Sequence, residues 1–263
     1  MAIGSFTHPW SLNILRFLFQ NIPLVADTPW VGIGKANGSK NSFVEFSGAG
    51  YSRVQLDSSY FPASTAAEVT LGEEIIFPVS TGFTGETYAI GFFTSNTAPL
   101  PFAWGDCNER EVIKNYDSLR VLPGAYTHYF SPGSTWSMWL KNAVLNHFYR
   151  GEAIALTGTD IEFGYVTTPP NDASFGTEPG AGGYARVLVG RNSTNFKDSN
   201  LNGQELNNIV EFPWATAVQG TATHSIYFLN GQYLMWNILP TVAPININQR
   251  LALKAGQLFQ LDP

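Results

Sequence analysis

The carboxylates are the residues of this chain best suited to chemistry. Glu73-Glu74, Asp106, Glu109, Glu111, Asp160 and Glu162 would supply a general acid and a general base if two of them met in space. Glu74 and Glu211, however, sit in matching apolar stretches and read as solvent-facing strand positions. The acids from Asp106 to Asp117 are interleaved with Arg110 and Lys114 and read as a solvated loop. His8, His128, His147 and His224 lie far apart, and none has a ligand partner four residues on. The single Cys107 excludes an internal disulfide and a cysteine-built zinc site. Gly32-Ile33-Gly34-Lys35-Ala36-Asn37-Gly38 has the outline of a dinucleotide loop. It lacks the third glycine in place and no helix pattern follows, so it reads as a strand entering a Gly-Asn turn. Nucleophile elbow, phosphate loop and zinc-protease helix motifs are all absent. The expectation is a protein that is not an enzyme, with no catalytic, cofactor-binding or metal-binding residues.

One constellation occurs twice. Gly48-Ala49-Gly50-Tyr51-Ser52-Arg53-Val54 returns as Ala181-Gly182-Gly183-Tyr184-Ala185-Arg186-Val187. Glycine permits positive φ or close backbone approach, and a Tyr and an Arg two residues apart on a strand share one face. Gly50, Tyr51, Arg53, Gly183, Tyr184 and Arg186 therefore form the candidate site. One reading is structural: a turn into a strand, with the Tyr packed and the Arg capping carbonyls or paired with an acid. The other is a subunit contact or a ligand-binding pair. Recurrence favours the first, since repeats share core rules before they share ligands.

Other landmarks recur in the same order. Trp10-Ser11 matches Trp136-Ser137, Phe77-Pro78 matches Phe212-Pro213, Trp104 matches Trp236, and Leu119 with Gly124 matches Leu251 with Gly256. Their offsets drift by only a few residues, as loop insertions produce, and the chain reads as a tandem duplication with modules 1–130 and 131–263. Tyr129-Phe130-Ser131-Pro132-Gly133-Ser134 is the turn-rich joint.

Each module opens with a helical pattern. In the first, Leu12, Leu15, Leu18 and Phe19 form an apolar stripe behind Thr7 and Pro9, ended by Pro23. In the second, Trp136, Leu140, Ala143, Val144 and Phe148 recur at helical spacing, with Ser134 or Thr135 as N-cap. Strand periods follow at Trp30–Gly34, Tyr51–Leu56, Glu74–Phe77, Tyr88–Phe93 and Leu119–Leu122. Their counterparts are Ile161–Val166, Tyr184–Val189, Ile209–Phe212, His224–Leu229 and Leu251–Lys254, with Leu258–Leu261 added at the end. The fold class is mainly β: two tandem β-sandwich modules, each preceded by a short N-terminal α-helix.

Composition narrows the partners. Charged residues make up 13% of the 263, about half the usual ~25%, and the net charge of −6 offers no basic stripe for phosphates. Nucleic acid is excluded as a partner. The apolar run from Leu12 to Phe19 carries Arg16 and is too short for a span of ~20 residues. It reads neither as a signal peptide nor as a membrane insertion. Asn37-Gly38-Ser39 and Asn192-Ser193-Thr194 match glycosylation acceptors with nothing else to indicate secretion. Tyr126, Tyr129, Trp214 and Tyr233 could stack on sugars if exposed, though most aromatics read as core or interface.

The run Glu178-Pro179-Gly180-Ala181-Gly182-Gly183-Tyr184-Ala185-Arg186-Val187, followed by Ile209–Ala217, Thr223-His224, Leu234-Met235-Trp236, Ile245–Asn248 and Ala255–Leu258, resembles a family of small tailed-bacteriophage proteins labelled tail-fibre proteins. The resemblance covers nearly all of 136–261. It is weaker over 10–125, where Tyr88 stands for the family His and the Ala/Thr alternation after Pro78 is gone. It implies a virion structural protein without catalytic residues, at the tail periphery in a fibre, baseplate or collar, supporting host attachment. Capsid decoration, as a cement protein of the head, is the alternative and a glycan depolymerase the minor one. The implied partners are other virion proteins, further copies in a homo-oligomer (a trimer would present six similar modules), and a host surface glycan. Assembly in the host cytoplasm and residence in the virion complete the expectation.

Overall fold

The computed structural model describes residues 2–25, 28–36, 43–48, 50–79, 81, 85–113, 116–131 and 134–261. The protein is mainly β with two helices. It forms two compact units, each assembled from separated stretches: unit 1 from Met1–Trp10, Val25–Phe130 and Asn142–Ile154, unit 2 from Ser11–Leu24, Ser131–Lys141 and Ala155–Pro263.

Unit 1 contains β1 (Ala2–Phe6), β2 (Trp30–Ala36), β3 (Phe43–Glu45), β4 (Val54–Gln55), β5 (Glu68–Thr70), β6 (Ile75–Ile76), β7 (Gly85–Phe93), β8 (Ala103–Ile113), β9 (Arg120–Val121) and β10 (Tyr126–Tyr129). Its main sheet runs β3-β2-β7-β8-β1-β10-β5, with β4 also on β2, while β6 pairs with β9. Unit 2 contains β11 (Asp160–Val166), β12 (Val187–Gly190), β13 (Phe196–Ser199), β14 (Gly203–Leu206), β15 (Val210–Glu211), β16 (Gly220–Leu229), β17 (Gln232–Ile245), β18 (Ala252–Leu253) and β19 (Leu258–Gln260). Its sheets run β12-β11-β16-β17 and β13-β14-β19, and β15 pairs with β18.

The two helices, α1 (His8–Gln20) and α2 (Met138–Arg150), cover these sheets in exchange. An apolar sheet face needs a second layer, and in each unit a helix from the other half of the chain supplies most of it. In unit 1 the α2 residues Phe148 and Tyr149 enter the aromatic core, with Tyr149 4.7 Å from Phe61 and Phe148 4.9 Å from Phe102 between ring centroids. Asn142 Oδ1 accepts from Ser64 Oγ and Ala67 N (both 2.7 Å), and Asn146 Oδ1 accepts from Ser64 N (2.7 Å). In unit 2 the α1 residue Phe19 is fully buried, 4.5 Å from Phe259 and 5.1 Å from Phe196. Buried Arg191 donates to Leu18 O (2.6 Å) and to Phe17 O. Those are last-turn carbonyls that the helix leaves unpaired and that carry its negative dipole end.

Local chemistry explains the helix limits. Ser137 is the cap of α2: its Oγ accepts from Leu140 N (3.2 Å) and donates to Tyr233 O (2.8 Å). The cap therefore lies beyond Ser134 and Thr135, and Trp136 precedes the helix in an isolated bridge with Met235. Thr7 holds the matching place before α1, donating from Oγ1 to Pro101 O (3.0 Å). Thus Thr7, not Ser11, is the partner of Ser137, one helical turn from the sequence alignment. Both helices stop on a left-handed residue, Asn21 (φ 56°) and Gly151 (φ 70°), so α1 ends ahead of Pro23. Ile14 joins the α1 stripe while Leu12 is only half-buried. The acidic stretch after Asp106 is not a loop, since β8 continues through it to Ile113. No helix among the described residues is long and apolar enough to cross a membrane.

Buried His128 ties the α2 end to the strands. Its Nδ1 lies 2.7 Å from the Tyr149 hydroxyl, which is 2.6 Å from that of Tyr126. Burial pushes the His128 imidazole down to about 3.

Two outcomes follow. Phe19→Ala should cost about 3–5 kcal/mol, and hydrogen exchange should speed up in β13, β14 and β19 of unit 2. Tyr149→Ala should do the same to β5, β7 and β10 of unit 1. Loss of protection in the half that carries the mutation would refute the exchange. Below pH ~6.5 the unfolded chain takes up a proton at His128 that the folded chain refuses until about 3. Stability from this group is thus complete above pH ~6.5 and lost as the pH falls, by roughly 2 kcal/mol at pH 5. Thermal melts from pH 7 to 5 should show that decline, and His128→Gln should flatten it.

Candidate functional site

The twice-occurring glycine-tyrosine-arginine residues come together within each unit around a glutamate. In unit 1 Tyr51 donates its hydroxyl to Glu45 Oε1 (2.7 Å) and accepts from the Ile33 amide (3.1 Å). Arg53 Nε and Nη2 donate to Glu45 Oε1 and Oε2 (2.8 and 2.6 Å). Its remaining donors reach Ser95 O (2.8 Å) and Ala98 O (2.9 Å), and its guanidinium lies 3.4 Å from the Phe93 ring centroid.

Unit 2 repeats the pattern. Tyr184 donates to Glu178 Oε1 and accepts from the Tyr165 amide (3.2 Å). Arg186 Nε and Nη2 donate to Glu178 (2.9 and 2.8 Å), Nη1 donates to Glu162 (2.9 Å), and the guanidinium covers Phe228 at 3.5 Å. A planar fork on a carboxylate with an aromatic ring beneath it is a geometry that arginine supplies and lysine does not.

The turn ahead of each tyrosine depends on positive φ, at Gly50 (82°) and at Gly182 and Gly183 (79° and 75°). A Cβ on Gly50 would also meet Val79 O at 2.7 Å. The turn drops the tyrosines toward the sheet, so β4 and β12 start at Val54 and Val187, after the motif. Two further glycines make room beneath. A Cβ on Gly32 would lie 2.6 Å from Glu45 Oε1 and 2.8 Å from the Tyr51 hydroxyl, and one on Gly164 would meet Tyr184 and Glu178 at 2.8 and 2.9 Å. The Gly32-x-Gly34 pattern thus serves side-chain packing on β2.

Electrostatics follow from this enclosure. Burial and the neighbouring carboxylates raise the Tyr51 and Tyr184 hydroxyls well above the ordinary range. Burial works against the Glu178 carboxylate, yet hydrogen bonds from Arg186 and Tyr184 hold its pKa below the usual one. Such a group neither gives nor takes a proton near neutrality. The arrangement braces a turn onto a sheet.

Glu45 and Glu178, which complete the braces, escaped the sequence reading. Their signal was a glutamate eight residues before each arginine. The other acids do not gather: Glu74 pairs with Arg120 (3.2 Å), Glu211 pairs with Arg250, and Glu162 belongs to the second brace. Among the described residues no cluster of His, Cys, Asp and Glu is arranged for a metal ion. The side chains of Cys107, Glu109 and Glu111 and the acceptor Asn37-Gly38-Ser39 lie outside the described residues. Asn192 uses its side chain to accept from Thr194 N (3.0 Å) and Asn195 N (3.1 Å). Tyr126 and Tyr233 are buried, not available to a sugar, whereas Tyr129 and Trp214 are exposed, with Arg250 4.7 Å over the Trp214 ring.

Residues 135–260 match a phage fibre family described as Podophage GP4 fiber I protein gp80. No curated protein matches the chain.

Arg53→Ala and Arg186→Ala should each destabilise their own unit by about 3–5 kcal/mol, because a largely buried carboxylate loses its partner. Arg→Lys at either site should recover less than half of that in urea denaturation. Lysine variants as stable as the parent would show that the fork and the ring stacking do not matter.

Proposed function

We propose that the protein is a structural component of a phage virion, of the tail-fibre type, built by duplication of one module into halves 1–130 and 131–263. The fibre-family match over 135–260 carries this reading. The duplication is supported by the two braces, whose members keep one constant offset: Glu45 to Glu178, Tyr51 to Tyr184, Arg53 to Arg186. It is further supported by the matching antiparallel pairings of β2 with β4 and β7, and of β11 with β12 and β16.

In this reading the protein sits at the tail periphery, in a fibre, baseplate or collar, and its work is mechanical. Tight aromatic cores and internally paired charges suit a particle that must survive outside the cell. Other virion proteins are its partners. A homotrimer would present six similar modules to a symmetric neighbour, and exposed aromatics such as Tyr129 and Trp214 would support contact with a host surface glycan during attachment. Assembly takes place in the host cytoplasm, ahead of release in the particle. The braces act as structural elements, and no residue is assigned a catalytic role.

Electron microscopy of intact particles with a labelled antibody against the chain tests the proposal. Label at the tail, its tip or the neck is expected. Label spread over the head would replace it with capsid decoration, and unlabelled particles would remove the protein from the virion and reopen a glycan-degrading activity.

A further inference from the structure

The turn that follows β15 carries a cluster that unit 1 lacks. Trp214 is 57% exposed. The Arg250 guanidinium lies 4.7 Å from its ring centroid and pairs through Nη2 with Glu211 Oε1. The backbone beneath is tied on both sides of the ring. Phe212 N donates to Leu251 O (3.0 Å), Ala215 N to Gln249 O (2.8 Å), and Asn248 N back to Ala215 O (2.8 Å). The indole is therefore presented from a braced turn and not from a slack loop.

Unit 1 builds the same turn without the cluster. Phe77 N donates to Leu119 O (2.9 Å) as Phe212 N does to Leu251 O, and Tyr116 and Asn248 take the same left-handed φ (69° and 60°) ahead of β9 and β18. Counted from these bonds, Ile76, Val79 and Ser118 stand where unit 2 has Glu211, Trp214 and Arg250. Ser118 turns inward instead, donating from Oγ to Phe77 O (2.7 Å). The fold thus does not need the cluster, and tryptophan with arginine is a pairing over-represented where surfaces bind partners.

The chemistry selects the partner. Among the described residues Arg250 Nε and Nη1 and Glu211 Oε2 make no further hydrogen bond. Arginine only donates and a carboxylate only accepts, so the pair beside the ring meets a hydroxyl group in both its capacities. The open indole face accommodates the C–H face of a pyranose ring by dispersion. A carboxylated sugar would set its charge beside Glu211, on a chain of net charge −6, and an ammonium would meet Arg250. Exposed Asn246 and Asn248, whose side chains make no hydrogen bond among the described residues, add polar groups on the adjoining turn.

We propose that Trp214, Arg250 and Glu211 form a stacking platform for a neutral hexopyranose. The sugar ring lies on the open face of the indole, and neighbouring hydroxyls engage Arg250 and Glu211. The inference rests on the glycan contact in the reading above and narrows it to one set of residues and one class of sugar. A single hexose on so open a platform is held with a Kd on the order of 1–10 mM, so attachment draws on several copies acting together.

The test is a titration of nitrogen-15-labelled full-length protein with methyl β-D-glucopyranoside, methyl β-D-galactopyranoside, methyl α-D-mannopyranoside and the acidic methyl β-D-glucuronide. It is read at the tryptophan indole N–H signals, that of Trp214 being identified by its loss in Trp214→Phe. A saturable shift of the Trp214 signal is expected with at least one neutral glycoside, and binding of the glucuronide at least ~5-fold weaker. Trp214→Ala should abolish binding, and Arg250→Ser, which installs the unit 1 residue, should weaken it at least ~5-fold. Both positions are partly exposed, and an unchanged circular dichroism spectrum would show that the variants fold. Neutral glycosides that bind Trp214→Ala as well as the parent would overturn the platform and leave glycan contact standing at another surface. No binding of any neutral glycoside would overturn the platform and the glycan contact together, whereas antibody labelling of particles tests the virion reading separately. Equal or tighter binding of the glucuronide would overturn the assignment of a neutral sugar.

Discussion

Everything in this fold depends on the exchange of helices between the halves of the chain. A sheet with one apolar face is incomplete until a second layer removes that face from water. Here the layer over each sheet is contributed largely by the helix encoded in the other half. Neither half of the sequence therefore contains all of its own core. Covalent linkage turns what would be association of two incomplete parts into an intramolecular step at high effective concentration. The polar seams make the exchange selective. Asn142 and Asn146 on α2 answer Ser64 and Ala67, while the same helical positions on α1 hold Leu12 and Arg16. Arg16 in turn pairs with Asp198. Putting either helix on the wrong sheet would leave buried acceptors without donors, a cost of about 1–3 kcal/mol each.

The braces solve a second problem, set by the scarcity of charge. A chain with 13% charged residues has few ion pairs to place, and it closes two of the most enclosed around the turn that precedes β4 or β12. Desolvating an ion pair is expensive unless every lone pair and donor is met. Glu45 and Glu178 each accept from a tyrosine and from a bidentate arginine, and an aromatic ring lies beneath each guanidinium. The price is paid in side chains omitted, at Gly32 and Gly164. This is why a strand glycine, weak by propensity, sits in the middle of each sheet.

Much of this was legible in the sequence, and the failures have physical causes. Apolar alternation located β2, β7, β11 and β16, because those strands are central and buried. It missed β13 and β14, whose residues are mostly polar, and it missed β1, β5, β8, β10 and β17 altogether, β8 in part because acids alternate along its second half. The helices were visible from their stripes, but a stripe reports that a helix is buried and not against what. The cap of α2 was misplaced because Ser134, Thr135 and Ser137 are all competent by type, and only the bridge at Trp136 decides among them. The tyrosine and arginine of each brace were found because they recur, while their glutamates hid among other acids. Sequence spacing could not distinguish a core tyrosine such as Tyr126 from an exposed one such as Tyr129, three residues on.

What the two units share and where they diverge carry different information. Shared features, the braces and the left-handed helix ends, meet needs internal to each unit, so they say little about partners. Divergence is free to serve partners. At the start of unit 1 a whole strand, β1, is inserted between β8 and β10, whereas in unit 2 side chains cross the same place, Trp136 Nε1 donating to Gln260 O (3.2 Å) and Asn237 Nδ2 to Leu258 O (3.3 Å).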